Sequence, residues 1–302
     1  MRGYGHQAYA ASLSAFGTPR LLPGSKGWIL ERPIDGFPYR DAMGCYPLFV
    51  CQDWSKLDSD LQLAGQNLVC LSLVTDPFGD WNIDSLRQVF PDLFRPFKQH
   101  FVINLSRPPE TFVTSHHRRN ARKGLSQLAV EKCAKPSEAL AEWLDLYRTL
   151  GERHGITGMA AFSREAFARQ LTVPGIVAFR AVHDDSTVGM LLWYEQSKRA
   201  YYHLGAYSPL GYELRASFAL FDYSIKYFAG RDLEWLSLGS SAGLEADEES
   251  GLGRFKQGWS TGVRTVYFCG RIFDADRYAE ILRARNSGGS DYFPAYRQGE
   301  FV

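Results

Sequence analysis

Short apolar runs bounded by glycine, proline and polar turns fill the first hundred residues. GWILERPI (27–34), YPLFVCQ (46–52) and NLVCLSLV (67–74) read as strands. The last leads into TDPFGDWNIDSLRQVF, where Asn82 or Asp84 caps a predicted helix. A strand HFVINL follows, and Ser106 with Pro108 and Pro109 marks a helix start that Gly124 would close. Beyond AVEKCAKP the period changes. SEALAEWLDLYRTLGERHG carries Leu140, Leu144 and Tyr147 on one helical face, and SREAFARQL is a second short helix. GIVAFRAVH, VGMLLWYE and AYYHLGAY are then three strands joined as hairpins through DDST and QSKR. Leu214, Phe218, Phe221, Ile225 and Phe228 keep helical spacing up to Gly230, and LEWLSL, RFKQGW and RTVYFCGRIF predict strand, helix, strand. The chain is therefore α/β. A faint repeat, Asp76-Pro-Phe-Gly and Ser208-Pro-Leu-Gly, each between a strand and a helix, is consistent with two duplicated domains.

Composition narrows the class. At 302 residues the chain is long enough for two domains, and 45% hydrophobic with 22% charged residues is ordinary globular content. No run of apolar residues has the length of a transmembrane span, and the N-terminus lacks a signal-peptide core, so the expected location is cytoplasmic. Five scattered cysteines without a C-x-x-C pair fit buried thiols in a reducing compartment. A net charge of +1 excludes attraction of the whole molecule to nucleic acid.

Against that neutral background TSHHRRNARKGL (114–125) is dense in cations. Arg118 and Arg122, and Arg119 and Lys123, stand at i,i+4, forming two adjacent rows on a helix. Three readings are open: a nucleic-acid grip, a clamp for phosphates or carboxylates, and a solvated helix face. Sequence-specific DNA binding is disfavoured because no recognition-helix motif accompanies the patch. GSSAG (239–243) matches a nucleophile-elbow pattern, but every histidine precedes Ser241, opposite to the order that elbow requires. No metal is implied, since His116 and His117 point about 100° apart on one helix.

The order of YYHLGAYSPLGY before a long helix, LSLGSSAG…GLGRFKQGW, RRNARKGLSQLAVE and the late YFPAYR resembles the FemABX-like branch of the GNAT acyltransferase superfamily. The resemblance implies two tandem GNAT-like domains, 1–128 and 129–302, each a mixed, mostly antiparallel sheet flanked by helices, the C-terminal segment packing back on the first. It implies an N-acyltransferase or aminoacyltransferase acting on a small-molecule, peptide or sugar amine, in cell-envelope or exopolysaccharide biosynthesis. Acyl-CoA or aminoacyl-tRNA would be the co-substrate, with a tRNA or acyl carrier as partner and no tightly bound cofactor. Phe255-Lys256 matches that branch's Phe-Lys pair, whose lysine lies near the transferred group or a donor phosphate. Arg118, Arg119, Arg122 and Lys123 fall where it carries a basic helix that would hold an anionic substrate. The chain lacks the coiled-coil insertion of some tRNA-dependent members and the Q/R-x-x-G-x-G/A loop of standard GNAT enzymes.

Tyr207, Ser208 and Gly211, with Phe255 and Lys256, are the candidate donor contacts. His203, whose ordinary pKa suits a general base, is the first catalytic candidate, with burial as a core histidine its alternative. Glu213 is a second base candidate or a first-turn carboxylate favoured by the dipole, and Lys256 is an oxyanion or phosphate partner or a solvated lysine. A competing class is a non-catalytic GNAT-fold protein that binds an anionic envelope precursor or RNA.

Overall fold

The computed structural model describes residues 1–240, 251–287 and 289–300. Its elements are α1 (Gln7–Ser12), β1 (Thr18–Leu21), β2 (Trp28–Pro33), β3 (Arg40–Gly44), α2 (Leu57–Gly65), β4 (Cys70–Val74), α3 (Ile83–Val89) and β5 (Leu93–Asn104). Then follow α4 (Ser115–Leu125), β6 (Ala129–Lys132), α5 (Leu140–His154), α6 (Arg164–Gln170), β7 (Ile176–His183), β8 (Ser186–Gln196) and β9 (Arg199–Tyr207). The remainder are α7 (Pro209–Glu213), α8 (Ala216–Ala229), β10 (Trp235–Ser237), α9 (Gly251–Gln257), β11 (Gly262–Ile272) and α10 (Ala275–Ala284).

The chain forms two compact units. An N-terminal unit holds Tyr4–Lys98, Thr157–Ala160 and Thr265–Val302; a central unit holds Met1–Gly3, Gln99–Ile156 and Ala161–Arg264. The crossings fall near residues 98 and 264, so residue 128 lies inside the central unit, between α4 and β6. The reason is packing: Ala121 and Leu128 belong to the same core as Phe221 and Trp259.

In the N-terminal unit the strand order is β1-β2-β3-β4-β11. β1 to β3 form an antiparallel meander, β3 and β4 run parallel, and β11 is antiparallel to β4. A parallel pair needs a crossover, and α2 supplies it, burying Leu57, Leu61 and Ala64. YFPAYR finds its role here. Asp41, wholly buried on β3, accepts from Arg32 Nε at 3.1 Å, Tyr296 Oη at 2.9 Å and Arg297 Nε at 2.6 Å. Phe293 covers Gly270 so closely that a Cβ there would meet its ring at 2.5 Å.

In the central unit the order is β5-β10-β9-β8-β7-β6, with β5 contributing its second half. β6 to β9 are successively antiparallel, and the tight β7–β8 turn holds Asp184 and Asp185 at positive φ. β10 runs parallel to β9, and β5 antiparallel to β10. α8 packs on β7 to β9 through Leu220, Phe221 and Phe228, α4 lies against α8, and α5 packs against β8 and β9. Each unit is a mixed, mostly antiparallel sheet with helices, as expected.

Several elements differ from the sequence reading. YPLFVCQ forms only an isolated parallel bridge, Phe49 to Thr75, while β1, β3, α1, α2 and α10 went unread. The basic helix starts at Thr114, whose hydroxyl accepts from His117 N, rather than at Pro108-Pro109, which form a separate single turn. The helix expected from Glu213 onward is broken at Arg215, which takes φ +60°. The topology also moves the repeat. β9 joined by a crossover helix to parallel β10 corresponds to β3 joined by α2 to β4. The Asp-Pro-Phe-Gly turn follows β4 and Ser-Pro-Leu-Gly follows β9, so the two turns are not equivalent positions.

Candidate active site

The site starts from a defect in the central sheet. β9 is nine residues long but pairs with β10 only through Arg199, Ala200 and Tyr201. At the next step the β8–β9 register skips His203, since Trp193 faces Tyr202 and Leu192 faces Leu204. A bulge adds a residue to one strand and bends it. β9 therefore leaves β10 at the bulge, while the chain after β10 stays on β5 through Phe101 N to Gly239 O at 3.0 Å. In the N-terminal unit the equivalent gap beyond β3 and β4 is bridged by the returning chain, with Phe49 N on Val74 O at 2.7 Å. The opening is thus a feature of the central unit.

Lys256 of α9 sits at that opening. It is 5% exposed, its Nζ donates to Ser240 O at 2.6 Å, and it lies 5.4 Å from the centroid of the Tyr202 ring. Carbonyl and π-face both favour a cation. Gly239, at φ +72°, gives it room: a Cβ there would stand 3.3 Å from Nζ. Phe255, its neighbour, has a different task, packing between Phe218, Phe221 and His117 with ring centroids 5.0 to 5.6 Å away.

His117 locks α9 to α4. Its Nε2 donates to Phe255 O at 3.0 Å, so Nδ1, 2.6 Å from Thr114 Oγ1, is the acceptor. Gly258 is required for this contact, because a Cβ there would lie 2.0 Å from the imidazole. Burial lowers the His117 pKa, which keeps this tautomer neutral.

Tyr202 belongs to the site, although the sequence reading passed over it. Its hydroxyl and that of Tyr207 flank Gly205, where a Cβ would stand 2.5 and 3.2 Å from them. Burial, then Tyr212, pushes the Tyr202 phenol above its ordinary pKa, so it remains a proton donor. Nothing in AYYHLGAY distinguishes it from its core neighbours. Tyr207 is buried, its ring edge-on to Tyr212, and its phenol is raised by burial and then by Tyr202.

The SPLG loop is self-satisfied. Ser208 Oγ accepts from Gly211 N at 3.0 Å and donates to Val188 O at 3.3 Å. A Cβ on Gly211 would meet Val188 O at 2.0 Å. These two residues therefore close the turn against β8, which uses up the amide of Gly211. The uncapped helix start lies further on, at α8, whose N-cap Arg215 makes no side-chain cap bond. Arg215 Nε instead donates to Asn120 Oδ1 of α4 at 2.9 Å, and Gly124 lets α4 approach the Arg215 carbonyl, 2.9 Å from a Cβ position. Gly124 serves this contact inside the last turn of α4. Glu213 is exposed at the end of α7, and its backbone oxygen accepts from Arg215.

The cationic rows divide. Arg118 is half-buried and donates to the carbonyls of Val113 and Glu110, holding the turn before α4. Arg119, Arg122 and Lys123 are exposed on the same helix. Arg118→Ala is expected to cost about 1–2 kcal/mol in urea denaturation. Arg122→Ala should leave stability within about 0.5 kcal/mol and lower the salt slope of polyanion binding by roughly one.

His203 is not placed with Lys256. Its ring contacts Phe162 and Tyr194, and Nε2 lies 3.2 Å from Gln170 Oε1 of α6, whereas Tyr202 faces Phe221 of α8. Adjacent strand residues point to opposite faces. Burial drives the His203 pKa to about 3, which makes it a poor base at neutral pH and corrects the catalytic role expected of it. The unfolded chain takes up this proton near 6.5, so stability is full above that pH and falls as pH drops towards 3, by at most about 1.4 kcal/mol per unit. Urea titrations from pH 7 to 4 should show this slope, flattened in His203→Gln.

Ser241, Ala242 and Gly243 of the GSSAG motif lie outside the described residues. Among the described residues no group of three or more His, Cys, Asp or Glu is placed to hold a metal, and no helix is long and apolar enough to cross a membrane.

A bulged, diverging strand pair with a crossover helix defines a GNAT-type acyltransferase fold. Residues 114–256 match the family model described as Acetyltransferase (GNAT) domain. The crystal structure of FemX superposes with a TM-score of 0.66 at 12% identity, covering 91% of this chain and 93% of that one. The C-terminal domain of a putative lysylphosphatidylglycerol synthetase from Agrobacterium fabrum gives 0.64 at 14% identity, covering 96% and 94%. L-PGS from Bacillus licheniformis gives 0.60 at 16%, covering 92% and 90%. Comparison with curated protein sequences gives no significant match. The fold is FemABX-like, and the family match supports a transferase.

Proposed function

We propose that the central unit transfers an acyl or aminoacyl group from a phosphate-bearing donor to an amine, with acyl-CoA the first donor to test. The observation that carries this reading is the buried Lys256 ammonium set where β9 leaves β10. An unpaired strand edge accepts an extended, amide-bearing chain by adding backbone hydrogen bonds. The arm of CoA is such a chain. Its phosphates are assigned to the start of α8, beside Arg119, Arg122 and Lys123, rather than to the capped Gly211 amide. The attacking amine forms a bond to the acyl carbonyl carbon, the tetrahedral oxyanion is held by the Lys256 ammonium and the Tyr202 hydroxyl, and the thiolate leaves. The base role passes from His203 to Glu213, which takes the amine's proton from its exposed position.

The aminoacyl-tRNA reading rests on the exposed cations of α4 and on the fold shared with FemX and the lysylphosphatidylglycerol synthetases.

Calorimetric titration with CoA and acetyl-CoA at near-physiological salt, with Lys256→Ala alongside, tests the donor. Micromolar binding weakened at least about tenfold in the variant supports acyl-CoA. Absence of heat with both ligands refutes it, and the aminoacyl-tRNA donor then leads.

A further inference from the structure

The N-terminal unit has a pocket that this chemistry does not use. Between the start of α2 and the start of α3 lies a cavity of about 280 Å³ with Trp54 and Trp81 in its wall, ring centroids 6.4 Å apart and planes at 64°. Leu57, Leu86 and Val89 form its apolar part, and Asp80 stands at the mouth. The second indole is held in place. Trp81 Nε1 donates to Asp76 O at 3.0 Å, its ring meets Tyr267 edge-on at 5.5 Å, and Gly79 leaves it room where a Cβ would lie 2.3 Å from the ring. Such a platform needs no rearrangement to bind.

Among the described residues no lysine or arginine side chain lines the cavity, although Arg271 donates to the carbonyl of Val89 in its wall. The exposed Asp80 carboxylate makes no ion pair among the described residues. Indole faces attract cations, a carboxylate attracts them, and the aliphatic floor takes the hydrocarbon around them. Ser55, Asn82 and Ser85 add hydrogen-bonding groups to the wall, and Asp80, the charged side chain among the lining residues, favours a cation over a neutral hydrocarbon.

We propose that this pocket is a binding site for a small organic ammonium ion, its charge between the Trp81 face and the Asp80 carboxylate and its hydrocarbon against Leu57, Leu86 and Val89. The site is separate from the Lys256 centre and does not depend on the acyl-transfer reading.

The test uses the full chain and its indole N–H resonances, seven in number for seven tryptophans. Choline and n-butylammonium are titrated in turn, with 3,3-dimethylbutan-1-ol as the uncharged isostere of choline. Trp81→Phe assigns its own resonance. Saturable shifts of the Trp54 and Trp81 resonances with either cation, at least about tenfold weaker for the isostere, are expected. Asp80→Asn should weaken cation binding about tenfold, while Asp84→Asn, exposed on α3 outside the lining, should not change it. Neither cation shifting those resonances saturably, the isostere binding equally well, or Asp80→Asn binding as the parent does would each overturn the assignment.

Discussion

Lys256→Met is expected to reduce kcat/KM by about 10²–10³ while the central unit stays folded. That range corresponds to losing one donor to a developing oxyanion, about 2.7–4 kcal/mol. Methionine keeps the length and apolar volume of the side chain, so it removes the charge without opening a cavity. It leaves Ser240 O without its 2.6 Å donor, and that loss shows in denaturation, separately from rate. Lys256→Ala adds a void and should be the less stable of the two. Lys256→Arg should not restore activity, because a planar fork does not fit a site 5% exposed beneath the Tyr202 ring. Tyr202→Phe gives an independent reading: it should lower kcat with little effect on donor affinity. If Lys256→Met turned over at the parent rate, the ammonium would be a packing element only, and the proposed oxyanion role would fail.

Asp41→Ala is expected to unfold the N-terminal unit most readily of any single change outside the active site. The carboxylate is wholly buried between Arg32 and Arg297, both themselves largely buried, and it also accepts from Tyr296. Removing one partner of a buried cluster strands the others, at about 3–5 kcal/mol. Here two guanidiniums would be left facing each other with only Glu300, 3.1 Å from Arg32 and 2.7 Å from Arg297, to compensate. Because Tyr296 and Arg297 lie in the C-terminal segment, its release should accompany the loss. Limited proteolysis should then cut between residues 285 and 297 in the variant and not in the parent. Urea unfolding that matches the parent would show that the cluster contributes specificity rather than stability.

The hairpins, α5 and α8 were legible because their signals are local. Near-continuous apolar runs between turn signals, turn residues able to take positive φ at Asp184 and Asp185, and an apolar stripe from Phe218 to Phe228 each depend only on neighbours in the chain. β1 and β3 are short, carry weak stripes and exist because partner strands cover them, so no window of sequence displays them. The break at Arg215 was hidden for the same reason: its unusual φ is stabilised by Asn120, 95 residues away.

By itself the sequence determined an α/β chain and a basic helix near residue 120. It could rank His203 and Lys256 only by residue type, since a side chain's chemistry is local while its environment is not. Tertiary structure gave them different surroundings. The bulge that skips His203 turns it towards Gln170, where burial removes its basicity, and the same bulge parts β9 from β10 over Lys256. It also divided the cationic rows, spending Arg118 on backbone carbonyls and leaving Arg119, Arg122 and Lys123 in solvent. Burial and partner geometry set the charge state and reach of each group, and both are properties of the assembled sheet and helices rather than of any stretch of chain.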